Sequence, residues 1–327
     1  MKTRTEEIVA GLYMLTLPMP LPIRLNHVNV FASLEPDGVT LIDTGPRMEG
    51  VLPALERGLV AIGRRVEDCR RILLTHFHAD HCGLAGLIAE RSDAELFLSQ
   101  IDDLAVRRFL NEAQLIERRR RFGRSQGLDA DAFAQMELAF SRFRGATTPF
   151  AATGFLADGE SLTLGGRTLR VLATPGHSQG HLSFYLPTER LLIAGDHVLP
   201  RITPNLSPDL TDFAFRPLKS YLESLEKAAS FPVERVYPAH GRPFADLKGR
   251  VAEIREHHAE RKGVALAALA RGPRTAAEVS SFIFNLDLSP FDRHLALNET
   301  YVHLVELEAE GTVQREKIDG LDRFRKA

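Results

Sequence analysis

Over the first fifty residues apolar and polar positions alternate in short runs that read as strands: Ile8 to Leu17, His27 to Leu34 and Val39 to Ile42, the last two joined by the turn signal Pro36-Asp37-Gly38. Between the first two lies Pro18-Met19-Pro20-Leu21-Pro22, too proline-rich for a ladder and too apolar for an idle loop, which suits one wall of a pocket. Residues 48 to 65 and 84 to 90 carry helical patterns on either side of Ile72-Leu73-Leu74, an apolar run that reads as a buried strand. From 101 to 155 no strand pattern is visible. Phe133, Met136, Phe140 and Phe143 recur there at helical spacing, which predicts two or three helices inserted between sheet elements. Strand patterns resume at Ser161 to Leu164, Thr168 to Ala173, His181 to Leu186, Leu191 to Ala194 and Arg235 to Pro238. Beyond them Val251 to Ala270 reads as a long helix stopped by Gly272-Pro273. Thr275-Ala276-Ala277-Glu278 has the form of a capping box, and Leu297, Tyr301, Leu304 and Val305 mark a third helix over Phe291 to Glu310. Thr312 to Ile318 and Leu321 to Arg325 flank Asp319-Gly320, a hairpin signal.

With 327 residues this pattern divides into two expected domains, 1–262 with a helical insert over about 101–155, and 263–327. An apolar content of 44%, a charged content of 26% and a net charge of -2 describe a soluble globular chain with no global pull toward nucleic acid or anionic membrane. Met1 to Glu7 is charged with no apolar stretch behind it, and no run approaches the length of a membrane span, so we expect a cytoplasmic protein without a membrane partner. Its two cysteines, Cys69 and Cys82, suit a reducing compartment, and Cys82 beside His81 reads first as a small buried residue. The insert departs from the average. It holds seven of the chain's 19 phenylalanines, and Arg107, Arg108, Arg118, Arg119, Arg120, Arg121 and Arg124 are opposed there by Glu112 and Glu117. Packing against the sheet and a lid over the active site are both open readings. If the basic side borders the site, it favours an anionic substrate, a phosphate-bearing acyl carrier or RNA.

The chemistry concentrates in Thr75-His76-Phe77-His78-Ala79-Asp80-His81, four metal-capable side chains within six residues on a strand-to-helix loop. Such a loop can aim His76 and His78 at one ion and Asp80 and His81 at a second, and imidazole with carboxylate suits zinc, with manganese or iron as alternatives. Four further groups sit at strand ends. Asp43, before Thr44-Gly45-Pro46, either binds metal or supports a ligand histidine. His177 is presented at the tip of Pro175-Gly176-His177, whereas His181 reads as a structural hydrogen-bonding residue. Asp196 can bridge two cations, one through each oxygen, while its neighbour His197 points the opposite way on an extended chain. His240 follows the last short strand.

In order, Asp43, His76 to His81, His177, Asp196 and His240 reproduce the five motifs of the metallo-β-lactamase superfamily, which the chain resembles over about residues 7 to 262. The resemblance implies an α+β fold, an αββα sandwich of two mixed sheets with helices outside and metals at one edge. It implies two divalent ions, one on His76, His78 and His177, the other on Asp80, His81 and His240, with Asp196 between them. Two such ions roughly 3.5 to 4 Å apart share a water and lower its pKa toward neutrality, and Asp80 orients the resulting hydroxide and passes its proton on. Three departures narrow the class. Asp196 and the absence of an export signal speak against antibiotic hydrolysis, and His78 speaks against the flavodiiron reductases. The short interval from Asp196 to His240 speaks against the large RNA-nuclease branch. Three helices and a hairpin at the C-terminus resemble the winged-helix domain of the branch that holds glyoxalase II-like proteins and β-lactamase-like protein 2. Glu299, Glu306, Glu308, Glu310 and Asp292 stand on its third helix against Arg293 alone, so domain packing or a homodimer contact suits it better than a phosphate-lined groove. The leading expectation is a binuclear hydrolase of a thioester, ester or lactone. The alternative is an endoribonuclease acting on single-stranded RNA, followed by a nucleic-acid-binding regulator and a mononuclear iron persulfide dioxygenase.

Overall fold

A computed structural model describes residues 4–20, 25–109, 111–141, 145–284 and 287–327. Leu21 and Pro22 of the proline-rich stretch, and Phe143 of the phenylalanine stripe, lie outside the described residues. Seven strands form the first sheet in sequence order: β1 Arg4–Val9, β2 Leu12–Pro18, β3 His27–Glu35, β4 Gly38–Ile42, β5 Cys69–Leu73, β6 Glu95–Leu98 and β7 Gly154–Phe155. The pairs up to β4 are antiparallel and those from β4 to β7 parallel. The second sheet runs β12-β11-β10-β9-β8, with β8 Ser161–Leu164, β9 Arg167–Ala173, β10 Leu182–Leu186, β11 Leu191–Gly195 and β12 Arg235–Pro238. Only its β11–β12 pair is parallel.

Side-chain alternation sorts residues into layers, because successive Cβ atoms on a strand point to opposite faces. Leu12 and Met14 of β2 meet Phe184, Leu186 and Ile193 between the sheets, while Leu15 and Leu17 face outward onto Leu55 and Leu59. On the second sheet Leu191 and Ile193 point inward, whereas Leu192 and Ala194 pack under Leu218, Tyr221 and Leu225. Burying each such side chain stabilises the fold by about 1.5–3 kcal/mol. The outer layers are helices: α1 Val51–Ala61, the single turn α2 Ala79–Cys82, and α3 Ala85–Ser92 on one side, and α7 Pro217–Ala229 on the other. Among its described residues the insert holds three α-helices, α4 Gln100–Phe109, α5 Glu112–Ser125 and α6 Ala130–Phe140.

The run expected as one strand from Ile8 to Leu17 is a hairpin, turned at Ala10-Gly11 where Gly11 takes a φ of 78°. The stretch 101–155 ends in a strand after all, since Gly154–Phe155 pairs with β6. Two residues are too few to leave a period in the sequence. After α8 Leu247–Ala268 come α9 Ala276–Ile283, α10 Pro290–Ala309, and the hairpin β13 Val313–Ile318 with β14 Leu321–Lys326. The capping box at the start of α9 is formed on both sides, Glu278 N–H to Thr275 Oγ1 at 3.2 Å and Thr275 N–H to Glu278 Oε2 at 2.8 Å.

The insert packs chiefly on the C-terminal helices. Phe122 of α5 joins their core and meets Tyr301 edge to face at 4.9 Å, and Phe140 of α6 lies 5.0 Å from the His294 ring on α10. The acidic face of α10 is spent internally: Glu306 pairs with Arg216 at 2.7 Å, Glu308 with Arg315 of the hairpin, and Glu310 with Lys262 at 2.6 Å. Among the described residues no helix is long and apolar enough to cross a membrane.

Candidate metal centre and its cavity

The C-terminal ends of β4, β5, β9, β11 and β12 meet at one edge of the sandwich, and each delivers a chemical group there. Three sets of donor atoms converge within 4.8 Å of one another: His76, His78 and His177; Asp80, His81 and His240; and His76, His81 and Asp196. In the first set His76 Nε2 lies 3.0 Å from His78 Nδ1, which lies 2.9 Å from His177 Nε2. In the second His240 Nε2 lies 3.3 Å from Asp80 Oδ2 and His81 Nε2 lies 3.6 Å from it. Asp196 stands between them, with Oδ2 3.4 Å from His177 Nε2 and Oδ1 3.3 Å from His240 Nε2 and 3.6 Å from His81 Nε2. Thus all seven residues singled out in the sequence share one cluster.

Hydrogen bonds behind the rings fix which nitrogen faces inward. Nδ1 of His177 donates to the Asn205 carbonyl at 2.8 Å, Nδ1 of His240 to the His27 carbonyl at 2.8 Å, and Nδ1 of His81 to Asp43 Oδ2 at 2.8 Å. Asp43 also accepts the Thr75 N–H at 2.8 Å and the Thr75 hydroxyl at 2.8 Å, so it holds the loop and the His81 ring and does not enter the cluster. It does so from a left-handed backbone, φ 60°, a conformation that aspartate tolerates better than most residues. His181 accepts the Asp196 N–H on Nε2 at 3.1 Å and pairs with Thr174 through Nδ1 at 2.8 Å. His197 is buried with its ring 5.5 Å from that of Tyr221 and belongs to none of the three sets. The buried Cys82 thiol donates to the Phe77 carbonyl at 3.0 Å, and burial pushes its pKa up.

The electrostatics of the two halves differ. Burial, followed by the neighbouring His177 ring, brings His78 down to about 3, and burial with the surrounding rings holds His76 well below the usual range, so both present neutral lone pairs. Burial also pushes His81 down, yet Asp80, Asp43 and Asp196 outweigh it and raise the imidazole to about 10. That half carries more negative charge than its side chains balance. His81 Nε2, Asp196 Oδ1 and His240 Nε2 are buried without a hydrogen-bond partner, a costly arrangement for three polar atoms unless a cation takes them up. Unpartnered buried nitrogen and oxygen atoms together with excess negative charge fit a divalent metal, which would take the place of the proton on His81 Nε2.

Two supports were not legible in the sequence. Asp102 on α4 is buried and accepts the Phe77 N–H at 3.1 Å, the Ser178 hydroxyl at 2.7 Å and the Gly180 N–H at 2.9 Å, tying the His76–His81 loop to the His177 loop. A Cβ on Gly180 would fall 2.2 Å from Ser99 Oγ and 2.5 Å from Asp102 Oδ1, so this approach needs glycine. Asn29 donates to the carbonyls of Pro238 at 2.9 Å and Gly241 at 3.0 Å, bracketing His240. Asp102 sits among the acids of a helix's first turn and Asn29 inside an ordinary strand pattern, and no spacing rule marks either.

A cavity of about 560 Å³ opens over the cluster, with His78, Asp80, His177 and Asp196 on its floor. Its walls are mostly apolar and come from three parts of the chain: Met19 and Met48 beside the first sheet, Ile101 and Leu115 of the insert, and Phe291 and Leu295 of α10.

Residues 24–240 match the metallo-β-lactamase superfamily and residues 263–327 match its metallo-β-lactamase-like C-terminal domain. A solved metallo-β-lactamase family protein from Thermus thermophilus is 34% identical, covering 98% of this chain and 100% of that one with a TM-score of 0.86. Probable metallo-hydrolase YqjP of Bacillus subtilis is 25% identical over 321 residues, 94% of each chain. The β-lactamase-like protein 2 homolog of Caenorhabditis elegans is 25% identical over 297 residues, covering 90% of this chain and 83% of that protein. The chain belongs to the metallo-β-lactamase superfamily and is a metallohydrolase of that class.

Proposed function

We propose that the protein hydrolyses the carbonyl of a thioester, ester or lactone with two divalent cations, zinc foremost and iron or manganese as alternatives. His76, His78 and His177 would hold one ion and Asp80, His81 and His240 the other, with Asp196 between the two sets. When bound, such ions supply a nucleophilic oxygen at neutral pH and a Lewis acid for the carbonyl. The chain's own groups do the rest. Asn205, His27 and Asp43 lock the imidazoles in the tautomer that points a lone pair inward, and Asp80, on the cavity floor, receives a proton at its carboxylate as the carbonyl is attacked. The apolar walls bind the acyl body and keep bulk water from the reacting carbon.

The observation that carries this reading is the joining of that donor cluster to a mostly apolar cavity of about 560 Å³, a size for small ligands and a poor track for a polyanion. We read the C-terminal helices and hairpin as a winged helix turned to packing, because Arg315 and Arg323 of the hairpin are paired with Glu308 and Glu278. The test is turnover of acyl thioesters and lactones by the zinc-loaded protein, with metal content measured alongside. At least one carbonyl substrate should be hydrolysed, and Asp80→Ala should reduce turnover by about 10²-fold or more. A silent carbonyl panel, together with cleavage of labelled single-stranded RNA that is lost in the same variant, would overturn the reading.

A further inference from the structure

The insert's arginines are not equivalent. Arg107 pairs with Asp103 at 2.9 Å, Arg119 with Glu137 at 2.8 Å, and Arg120 and Arg121 with Glu117 at 3.2 and 2.7 Å. Arg108 on α4 and Arg118 on α5 have no carboxylate within ion-pairing distance among the described residues. Their hydrogen bonds go to the Thr211 hydroxyl at 2.5 Å and the Leu210 carbonyl at 3.1 Å. Both line the cavity that opens over the metal cluster. Asp209, on the same wall, is engaged with the N–H and hydroxyl of Thr211 at 2.7 and 2.6 Å. Each guanidinium has five N–H donors, so most of their capacity is not spent on protein partners; both residues are exposed where they line a cavity whose surface is mostly apolar.

Two unneutralised guanidinium groups beside an apolar cavity recognise a molecule with an apolar body and an anionic end. From this we propose that Arg108 and Arg118 form a subsite for a carboxylate or phosphate carried by the substrate, and thereby select anionic acyl compounds over neutral ones. The inference rests on the carbonyl-hydrolase reading for where the scissile bond lies, since that bond must reach the floor while the anion reaches the arginines. Planar guanidinium donors suit both carboxylate and phosphate oxygens. The anion can therefore belong to the acyl group, as a second carboxylate, or to the leaving group, as the phosphates of a nucleotide-bearing thiol.

Non-hydrolysable thioethers separate these sources and keep the test independent of turnover. Calorimetry on the metal-loaded full chain would compare three probes with one alkyl chain: a neutral thioether of N-acetylcysteamine, the same compound with a terminal carboxylate on the alkyl chain, and the coenzyme A thioether. One anionic probe should bind about tenfold more tightly than the neutral one, and Arg108→Gln/Arg118→Gln should remove that advantage while the neutral probe's Kd stays within about twofold. Whichever anionic probe shows the gain identifies the source. Equal Kd values for all three probes, no binding by any, or an advantage that survives the double substitution would overturn the subsite. Should the anionic preference appear while no thioester, ester or lactone is hydrolysed, the proposed reaction fails and the subsite stands.

Discussion

At the residue scale the most consequential group outside the donor cluster is Asp102. Its Oδ2 takes the Phe77 N–H and the Ser178 hydroxyl and its Oδ1 takes the Gly180 N–H, so the two loops that carry four of the cluster's histidines, His76, His78, His81 and His177, are held by one carboxylate. Asparagine in its place would turn an NH₂ group toward an N–H in either flip, leaving at least one buried donor without an acceptor. Asp102→Asn should therefore cost about 1–3 kcal/mol in denaturant unfolding, and it should lower kcat by loosening His78 against His177. Unchanged stability together with unchanged kcat would show that the loops are held by other contacts. The contrast with the histidines explains what the sequence could tell. Metal-capable groups are few in kind and were spaced at strand ends, so His76 to His81, His177, Asp196 and His240 stood out as a set. Asp102 lies in Gln100-Ile101-Asp102-Asp103, where a buried acceptor and a solvated first-turn acid look alike.

At the element scale, helix and hairpin ends announced themselves because they depend on local chemistry. Thr275 and Glu278 close their capping box, and Asp319 and Gly320 turn the last hairpin with φ values of 51° and 79°. Elements defined by distant partners did not: β6 and β7 are four and two residues long and exist through parallel pairing. The seam between α8 and α10 belongs to this second kind. His258 and His303 were two histidines on separate helical patterns, yet their rings share a hydrogen bond of 3.1 Å in the buried interface. Burial, then the His303 ring, brings His258 down to about 2, and burial depresses His303 as well. The sign follows from which state takes the proton first. The unfolded imidazole protonates near pH 6.5 and the folded one does not, so the stability is fully present above that pH and declines as the pH falls below it. From pH 7 to 5 His258 alone should cost about 2 kcal/mol. His258→Leu/His303→Leu replaces both partners by apolar side chains. It should lose correspondingly less stability over that interval, read as a flatter dependence of the urea midpoint on pH. Parallel profiles for the two proteins would mean that the seam does not sense acid.

At the scale of the whole molecule the catalytic sandwich and the C-terminal helices build one site. The Asn205 carbonyl accepts from His177 Nδ1 at 2.8 Å, and the side chain of the same residue donates to the Leu295 carbonyl of α10 at 3.2 Å. Ser207 links Asn205 Oδ1 to Asn298 Nδ2 at 2.7 and 3.1 Å. Through this loop α10 is braced against a donor of the cluster, and through Phe291 and Leu295 it forms one cavity wall. If α10 is a wall as well as a brace, filling the space it borders should discriminate by substrate length. Leu295→Trp keeps the apolar character but occupies volume inside the cavity. Overpacking a well-packed site costs about 1–3 kcal/mol, so the corresponding effect on binding is roughly five- to two-hundredfold when it falls on the ligand alone. The variant should raise KM for long acyl thioesters by about tenfold relative to acetyl thioesters, with bound metal unchanged. An equal change in KM for short and long chains, or loss of metal, would assign α10 to the support of His177 and remove it from the selection of substrate.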